Sequence, residues 1–237
     1  MFGVSTYCLH AEPLPSALDR LSAVTGFIEV MDEGLHYLEN ADLLTCYSCR
    51  YSIHAPSRGT NLASLLEPIR RASVEVMAQC FSVAAEVNAG VVVHPGYFAW
   101  EEERRKAEQQ LRRSLADLHA HAQEYSVKFF VENMGNWEYF LVKTPAELEL
   151  IGTTPFALDV GHAHQNHCLE AFLAGPPAQH YHLHDNDGTE DSHAAVGDGT
   201  IDFGAVMHSV KKSGVTPVIE VGTLPGVLTS IGRLEKI

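Results

Sequence analysis

Short apolar runs alternate with amphipathic stretches along the whole chain. Eight runs are rich in β-branched and aromatic side chains and end at polar or turn residues, which is typical of buried strands. The stretches between them place apolar residues three or four positions apart, which predicts helices with one buried face. The predicted strands are 2–8, 27–31, 51–54, 91–94, 127–132, 156–160, 179–184 and 217–220.

This alternation of strand and helix predicts an α/β fold with a parallel sheet, and eight repeats of it predict a (β/α)8 TIM barrel. The helix signals agree with this fold. Apolar residues of 107–122 recur at helical spacing, and Thr144 with Glu147 forms a capping box that has Pro145 at the first helical position. No linker, repeat or low-complexity segment interrupts the pattern, so we predict one domain over residues 1–237.

The size and composition of the chain suit such a barrel. It has 237 residues, 46% of them hydrophobic, and a barrel of this type typically needs about 250 residues. No apolar run approaches the ~20 residues of a membrane span, and the first residues lack the charged and apolar parts of a signal peptide. We therefore expect a cytoplasmic protein with no membrane association.

Charge and cysteine count narrow the range of functions. The formal net charge is −14, from 16 Lys+Arg and 30 Asp+Glu, which gives no general attraction for nucleic acid or anionic membranes. This weighs only modestly against DNA, because carboxylates that hold metal ions would contribute to the acidic count. Five cysteines without framework spacing predict no disulfides, and we expect Cys46 and Cys49 to be ordinary buried thiols.

Histidines and carboxylates occur at or just beyond the ends of the predicted strands, and the central one is Glu132, at the end of 127–132. In a parallel barrel these strand ends meet at one rim, where active sites lie. Five imidazoles and four carboxylates in one place are costly unless cations neutralise them. Nitrogen and oxygen ligands without thiolate suit Zn, Mn, Fe or Co better than Ca or Mg. The candidate metal ligands are His54, His94, Glu132, Asp159, His162, His182, Asp191, His193 and Glu220.

The motifs around these residues resemble those of endonuclease IV, the AP endonuclease family 2 type within the xylose isomerase-like TIM-barrel superfamily. All nine positions that hold the three-zinc cluster of that enzyme have a matching residue, in the same order. The resemblance implies up to three Zn²⁺ ions, with Mn²⁺ or another divalent metal as a substitute. The matching segments are His54-Ala-Pro, His94-Pro-Gly, Glu132-Asn-Met-Gly, Asp159-Val-Gly-His162-Ala, His182-Leu-His-Asp185, Asp191-Ser-His193 and Ile219-Glu220.

The resemblance also implies how the ligands divide. The second of three sites corresponds to the single metal site of the superfamily's sugar isomerases and epimerases, whose two glutamates move protons beside a carbonyl. Glu132 and Glu220 are therefore the candidate catalytic residues. The implied sites are His54, His94 and Glu132; Glu132, Asp159, His182 and Glu220; and His162, Asp191 and His193.

Net charge separates the two chemistries. Three divalent ions with the four carboxylates leave roughly +2, which favours an anionic phosphate ester. One divalent ion with Glu132, Asp159 and Glu220 leaves roughly −1, which favours a neutral polyol and frees a carboxylate to act as a base. We predict a metal-dependent phosphoesterase, and a sugar or sugar-phosphate isomerase or epimerase is the alternative.

The sequence departs from both enzyme types near the substrate. The loop after the third strand, where the endonuclease has aromatic and apolar wedges, reads Ser57-Arg58-Gly59-Thr60-Asn61. Abasic DNA is therefore a poorly matched substrate, and a small sugar or phosphoester is the other candidate substrate. An Arg that many epimerases place after the seventh strand is replaced by Asn186-Asp187-Gly188. Arg58 is a candidate substrate contact.

Three further residues receive specific expectations. Glu29, on the second strand, either contacts the substrate or satisfies a buried polar neighbour. His184 follows His182 near the end of the seventh strand, and we leave it out of the ligands and expect it to face away from them. Asp185 is expected to orient a ligand as a hydrogen-bond acceptor. The oligomeric state is left open.

Overall fold

Eight parallel strands close into one barrel within residues 2–237, the part of the chain that this computed structural model describes. Strands that follow each other in the chain are neighbours in the barrel, and the last strand pairs with the first. The predicted (β/α)8 TIM barrel is confirmed. The strands are β1 Gly3–Ser5, β2 Phe27–Met31, β3 Arg50–His54, β4 Gly90–Val93, β5 Phe129–Glu132, β6 Phe156–Asp159, β7 His180–Leu183 and β8 Val218–Ile219.

Helices connect the strands. After β5 the connection contains a 3-10 helix, Pro145–Leu150, and it begins with the predicted capping box, in which Thr144 and Glu147 satisfy each other's backbone N–H groups. The α-helices are α1 Leu14–Ser22, α2 Asp42–Thr45, α3 Glu67–Glu86, α4 Arg104–Tyr125, α5 Val160–Gln165, α6 Leu169–Ala174, α7 Phe203–Ser213 and α8 Leu224–Leu234.

The first strand is shorter than the predicted 2–8. Ser5 Oγ accepts a hydrogen bond from the N–H of Tyr7 at 3.2 Å, and a 3-10 helix begins at Thr6. A serine side chain that bonds the nearby backbone competes with the strand ladder in this way. The consequence for function is that Tyr7 lies beyond the strand and lines the cavity at the mouth of the barrel.

The core has two layers, one inside the barrel and one between the strands and the helices. Val91, Val92 and Val93 of β4 are all fully buried, because successive side chains point alternately into the two layers. The predicted helical stripe in α4 is also buried. It consists of Ala107, Leu111, Leu115, Leu118 and Ala122.

Two further features of the chain concern its surface. Within residues 2–237, no helix is both long enough and apolar enough to cross a bilayer. Cys46 is exposed and Cys49 is half-buried, so the expectation that both are buried thiols is wrong for Cys46. The reason is that the turn between α2 and β3, where both cysteines lie, runs along the surface.

Candidate metal centre

The nine predicted metal ligands lie at or just beyond the C-terminal ends of the barrel strands. Parallel strands carry their carboxyl ends to the same rim, which is why residues far apart in the chain meet there. In chain order they are His54 at the end of β3, His94 after β4, Glu132 at the end of β5, Asp159 at the end of β6, His162 in α5, His182 in β7, Asp191 and His193 in the loop after β7, and Glu220 after β8.

Glu132 lies between two groups of imidazoles, and each of its oxygens faces a different group. Oε2 is 3.2 Å from His54 Nε2 and 3.1 Å from His94 Nε2. Oε1 is 3.0 Å from His182 Nδ1. The glutamate itself is buried. One carboxylate thus joins two groups of potential metal ligands, an arrangement suited to bridging.

Three carboxylates surround one nitrogen of His182. Its Nδ1 lies 3.0 Å from Glu132 Oε1, 3.2 Å from Glu220 Oε2 and 3.8 Å from Asp159 Oδ2. All four side chains are buried, and one donor atom from each lies within 4.8 Å of the others. Three buried anions around one imidazole require cationic charge nearby.

A third group forms around Asp191, whose Oδ2 is 3.2 Å from His162 Nε2 and 3.3 Å from His193 Nε2. The other ring nitrogens meet backbone carbonyls: His162 Nδ1 lies 2.9 Å from the Asn133 oxygen, and His193 Nδ1 lies 2.7 Å from the Glu220 oxygen. Because a carbonyl only accepts, each Nδ1 carries a proton. In the neutral rings the lone pair is then on Nε2, where a cation can bind it.

His184 belongs to this region, and the expectation that it faces away is wrong. Its Nε2 is 3.0 Å from Asp159 Oδ1, and its ring stacks on that of His193 at 3.9 Å between centroids. Residues two apart in a strand point to the same face, so the spacing from His182 to His184 places both on the ligand side, and His184 keeps that side although β7 ends at Leu183. Gly161 makes the room, since a Cβ there would lie 2.0 Å from His184 Cε1. The sequence signal that could have found it was its two-residue spacing from His182.

Asp185 supports the loop that carries two of the ligands and contacts no ligand ring directly. Its Oδ1 accepts hydrogen bonds from the N–H groups of Asn186 at 2.9 Å and Ile201 at 3.1 Å, and its Oδ2 accepts one from Gly197 at 2.8 Å. The prediction that it orients a ligand as an acceptor is therefore wrong. Asp185 instead ties together the two ends of the segment 185–201.

The two candidate substrate residues lie in different environments. Glu29 is fully buried inside the barrel and does not line the cavity. It accepts a hydrogen bond from Ser52 Oγ at 2.8 Å, so of the two readings left open for it, the structure favours the buried polar role. Arg58 is 86% exposed, lines the cavity and lies 3.6 Å from Glu33.

A cavity of about 880 Å³ opens above these groups. Imidazoles and carboxylates of the candidate metal sites form one wall. The rest of the lining comes from the end of β2 and from the segments after β1, β2 and β3, and it includes Tyr7, Met31, Tyr37 and Arg58. The cavity is therefore a concave site with a polar wall of potential metal ligands and a mixed wall that can contact a bound molecule.

The electrostatics of the site depend on positive charge. Burial favours the neutral form of Glu132, but the imidazole of His182 and the hydrogen bonds from His54 and His94 hold the pKa of the carboxyl well below its usual range. Burial likewise opposes protonation of His54, yet the Glu132 carboxylate raises its pKa to about 9. Burial also opposes protonation of His193, whose pKa Asp191 and Glu220 raise to about 9. Protons thus balance the carboxylates when no cation does, and this donor set fits divalent cations in their place.

This proton uptake predicts that the metal-free protein loses thermal stability as the pH rises from about 6.5 to 9. The pKa values of His54 and His193 are near 6.5 in the unfolded chain and about 9 in the folded one. Their stabilising contribution is therefore complete below pH 6.5 and is lost as the pH passes through 9. A bound divalent ion needs neutral imidazoles, so the zinc-loaded protein should not share the loss.

The measurement is the Tm of chelator-treated and zinc-loaded protein across this pH range. The Tm of metal-free His54→Asn should fall less steeply with rising pH than that of the unchanged protein. The Tm profile of His208→Asn, whose residue is exposed, should match that of the unchanged protein. Parallel Tm profiles for the metal-free and zinc-loaded forms would contradict the prediction.

The comparison with known families identifies the class of protein. The model of the xylose isomerase-like TIM barrel family matches residues 31–227. Since this range covers most of the chain and includes all nine predicted ligands, the protein belongs to that family. The predicted superfamily is thus confirmed.

The proteins that this chain resembles do not share one enzyme name, and one of them has none. The chain is 31% identical over 220 residues to an uncharacterized protein of Methanocaldococcus jannaschii, covering 86% of this chain and 88% of that one. It is 28% identical over 199 residues to a probable endonuclease 4 of Mycobacterium leprae, covering 76% of each. The solved structure of a D-tagatose 3-epimerase-like protein superposes with a TM-score of 0.89 at 28% identity, covering 99% of this chain and 96% of that one. One similar protein is thus named an endonuclease, and one similar structure is named epimerase-like.

Proposed function

We propose that this protein is a metal-dependent hydrolase of phosphoesters, with an endonuclease IV-like site for up to three divalent ions carried by a single domain over residues 1–237. The observation that supports it best is the number of ligand groups. Beyond the central group around His182, the structure has a group around the outer oxygen of Glu132 and another around Asp191. An enzyme with one metal ion would leave these two additional groups without a metal to hold, and they would serve at most to bind substrate hydroxyls.

Each proposed ion has a set of residues to hold it. Glu132 would bridge the first two ions, because its two oxygens face separate groups. Zn²⁺ suits this mixture of imidazole and carboxylate, and Mn²⁺ or another divalent metal is the substitute. The proposed sites are His54, His94 and Glu132; Glu132, Asp159, His182 and Glu220; and His162, Asp191 and His193, whose group His184 also joins in the structure.

Bound divalent ions would polarise the phosphoryl oxygens, lower the pKa of water and stabilise the charge of the leaving oxygen. The protein side chains orient and shield this chemistry. Four carboxylates against three such ions leave roughly +2, which attracts an anionic ester. Tyr7 is half-buried in the cavity wall, and burial together with Glu220 and Asp191 raises the pKa of its hydroxyl. It therefore stays protonated and can donate a hydrogen bond to a substrate oxygen.

The cavity favours a small phosphoester over duplex DNA. Its volume of about 880 Å³ suits a molecule the size of a sugar phosphate. The loop after β3 offers Arg58, and its neighbours from Ser57 to Asn61 include no aromatic side chain that could enter a base stack. Abasic DNA is kept as a test substrate because the relative in Mycobacterium leprae is named a probable endonuclease 4.

A second candidate function is isomerisation or epimerisation of a sugar or sugar phosphate. Glu132 Oε1 and Glu220 Oε2 lie 3.0 Å and 3.2 Å from the same His182 nitrogen. The two carboxylates therefore flank one position, as a pair that removes and returns a proton beside a carbonyl would. The high TM-score with the D-tagatose 3-epimerase-like structure favours this candidate as well.

The deciding experiment is metal content followed by a substrate panel. Elemental analysis of protein purified without chelator or affinity-tag metal should give close to three equivalents of zinc, or of zinc and manganese. The loaded protein should then hydrolyse phosphomonoesters or phosphodiesters and leave ketoses unchanged. About one equivalent, with conversion of a ketose or its phosphate, would reject hydrolysis in favour of the second candidate. Cleavage of an abasic-site duplex at low salt would reject only the proposed preference for small substrates. The proposed hydrolysis of phosphoesters would stand.

A further inference from the structure

A polar cluster lies inside the barrel, next to the central group of ligands. Its centre is Glu29 of β2, which is fully buried. Glu29 Oε1 is 2.8 Å from His182 Nε2, and Oε2 is 2.9 Å from His180 Nε2. Ser52 Oγ donates a hydrogen bond to Oε2 at 2.8 Å. None of these atoms belongs to the wall of the cavity formed by the other ligands, and Glu29 itself has no access to solvent.

The two nitrogens of His182 therefore face two different sets of carboxylates. Nε2 meets Glu29, whereas Nδ1 meets Glu132 and Glu220. A neutral imidazole has one N–H group and one lone pair. Which nitrogen carries the proton decides whether this ring can bind a cation in the central site.

We propose that Glu29 is a positioning residue for the central metal site, and that it holds His182 in the state with the proton on Nε2 and the lone pair on Nδ1. The inference rests on the proposed function only in that a divalent ion occupies the central group; it is independent of the reaction. A carboxylate that accepts the far N–H of a ligand imidazole fixes the orientation of the ring and makes it a stronger ligand.

The surroundings of Glu29 fit this role. A buried carboxylate is costly unless it is paired and hydrogen-bonded. Ser52 Oγ donates a hydrogen bond to this carboxylate, and the Nε2 atoms of His182 and His180 lie 2.8 Å and 2.9 Å from its two oxygens. With an ion on Nδ1, the imidazole of His182 transmits positive charge toward Glu29, so the metal and the carboxylate stabilise each other through the ring.

The competing arrangement is an additional ion between Glu29, His180 and His182. Among the described residues 2–237, Glu29 Oε1 and the two Nε2 atoms have close contacts but no hydrogen bond of good geometry, and their donor atoms lie close enough to share an ion. Such an ion would force His182 to bind metal through both nitrogens and to give up its last proton. The positioning role needs no such deprotonation, which is why we favour it.

The test compares Glu29→Gln and Glu29→Leu with the unchanged protein. Metal-free proteins are reloaded with Zn²⁺ against a competing chelator to obtain the affinity of each equivalent, and with Co²⁺ to record the absorption spectrum. Glu29→Leu should weaken one equivalent by about 10- to 100-fold and change the Co²⁺ spectrum. Glu29→Gln should retain part of the affinity, because its amide oxygen can occupy the place of the carboxylate oxygen beside Nε2 of His182. Exposed Glu86→Gln on α3 is the matched control.

Three outcomes decide the matter. Weakening of a single equivalent, with partial rescue in Glu29→Gln, supports positioning. Unchanged affinity of all equivalents in Glu29→Leu overturns it. An extra equivalent in the unchanged protein that disappears in both Glu29→Gln and His180→Asn also overturns it, because Glu29 would then be a ligand. If Glu29→Leu does not fold, the Glu29→Gln affinities and spectrum carry the decision. A lack of phosphoesterase activity alters none of these readouts, so failure of the proposed function is distinguished from failure of this inference.

Discussion

Replacing Glu132 with alanine is expected to lower turnover by roughly 10³-fold or more and to reduce the bound metal by more than one equivalent. The reason is that its two oxygens serve two separate groups, one with His54 and His94 and the other with His182. Loss of any other single ligand should affect chiefly one group. Glu132→Ala therefore removes the link between two proposed ions as well as a ligand from each.

Metal content and steady-state turnover on the substrate found in the panel measure this effect. Glu138→Ala is the matched control, since Glu138 is exposed on the loop that follows the same strand. Glu132→Asp should restore little, because the shorter side chain cannot reach both groups at once. If Glu132→Ala keeps its full complement of metal, the bridging role is wrong. If it keeps the metal and also loses turnover, Glu132 is assigned to proton transfer instead.

A second large effect, on metal content and on kcat/KM, is expected in the His193→Ala and Glu220→Gln variants. In a site with three ions, both variants should lose about one equivalent of metal and at least about 100-fold in kcat/KM. In a site with one ion, His193 lies outside the central group, and its loss should matter little. The two residues are neighbours in space, since His193 Nδ1 lies 2.7 Å from the backbone oxygen of Glu220, so general disruption of the area would affect both.

The control for this comparison is His208→Ala, on the exposed face of α7. His54→Ala tests the first group in the same manner and should behave as His193→Ala does. Full turnover in His193→Ala and His54→Ala, together with inactive Glu220→Gln, would reject the phosphoesterase with three ions and leave the isomerase or epimerase. Because each variant is assayed for metal as well as for turnover, a loss of ion is separated from a loss of catalysis.

The cavity above the ligands indicates which groups would provide affinity for a phosphate ester. Tyr7, Tyr37 and Arg58 line the same cavity as the candidate ligands, so a molecule bound there can contact both. Arg58 is paired with Glu33 and largely exposed, so it provides a weak anchor for an anion. The affinity for phosphate is therefore expected to come chiefly from the bound ions.

The sequence by itself determined the architecture and the place of the chemistry. Apolar runs and helical stripes follow from local periodicity, and eight alternating pairs leave the barrel as the natural closed arrangement. Once the barrel is known, residues such as Glu132 and Asp159 at strand ends must meet at one rim. This step needs no side-chain detail, because parallel strands all point their carboxyl ends the same way.

Tertiary structure decided what happens beyond the regular elements. His184 reaches Asp159 because Gly161 leaves space for its ring, and this close approach is not visible in an alternating pattern. Asp185 ties down a loop where a ligand contact was expected. Tyr7 reaches the cavity because a serine cap ends β1 early.

Glu29 shows the limit most clearly. Its position on the second strand was evident in the sequence, but its partner was not. The contact with His182 joins β2 to β7 across the inside of the barrel, between strands that are not neighbours in the sheet. Periodicity describes which face of a strand a residue occupies, whereas the closure of the barrel determines which side chains meet in its interior. That closure is a property of the whole chain, and only the folded structure contains it.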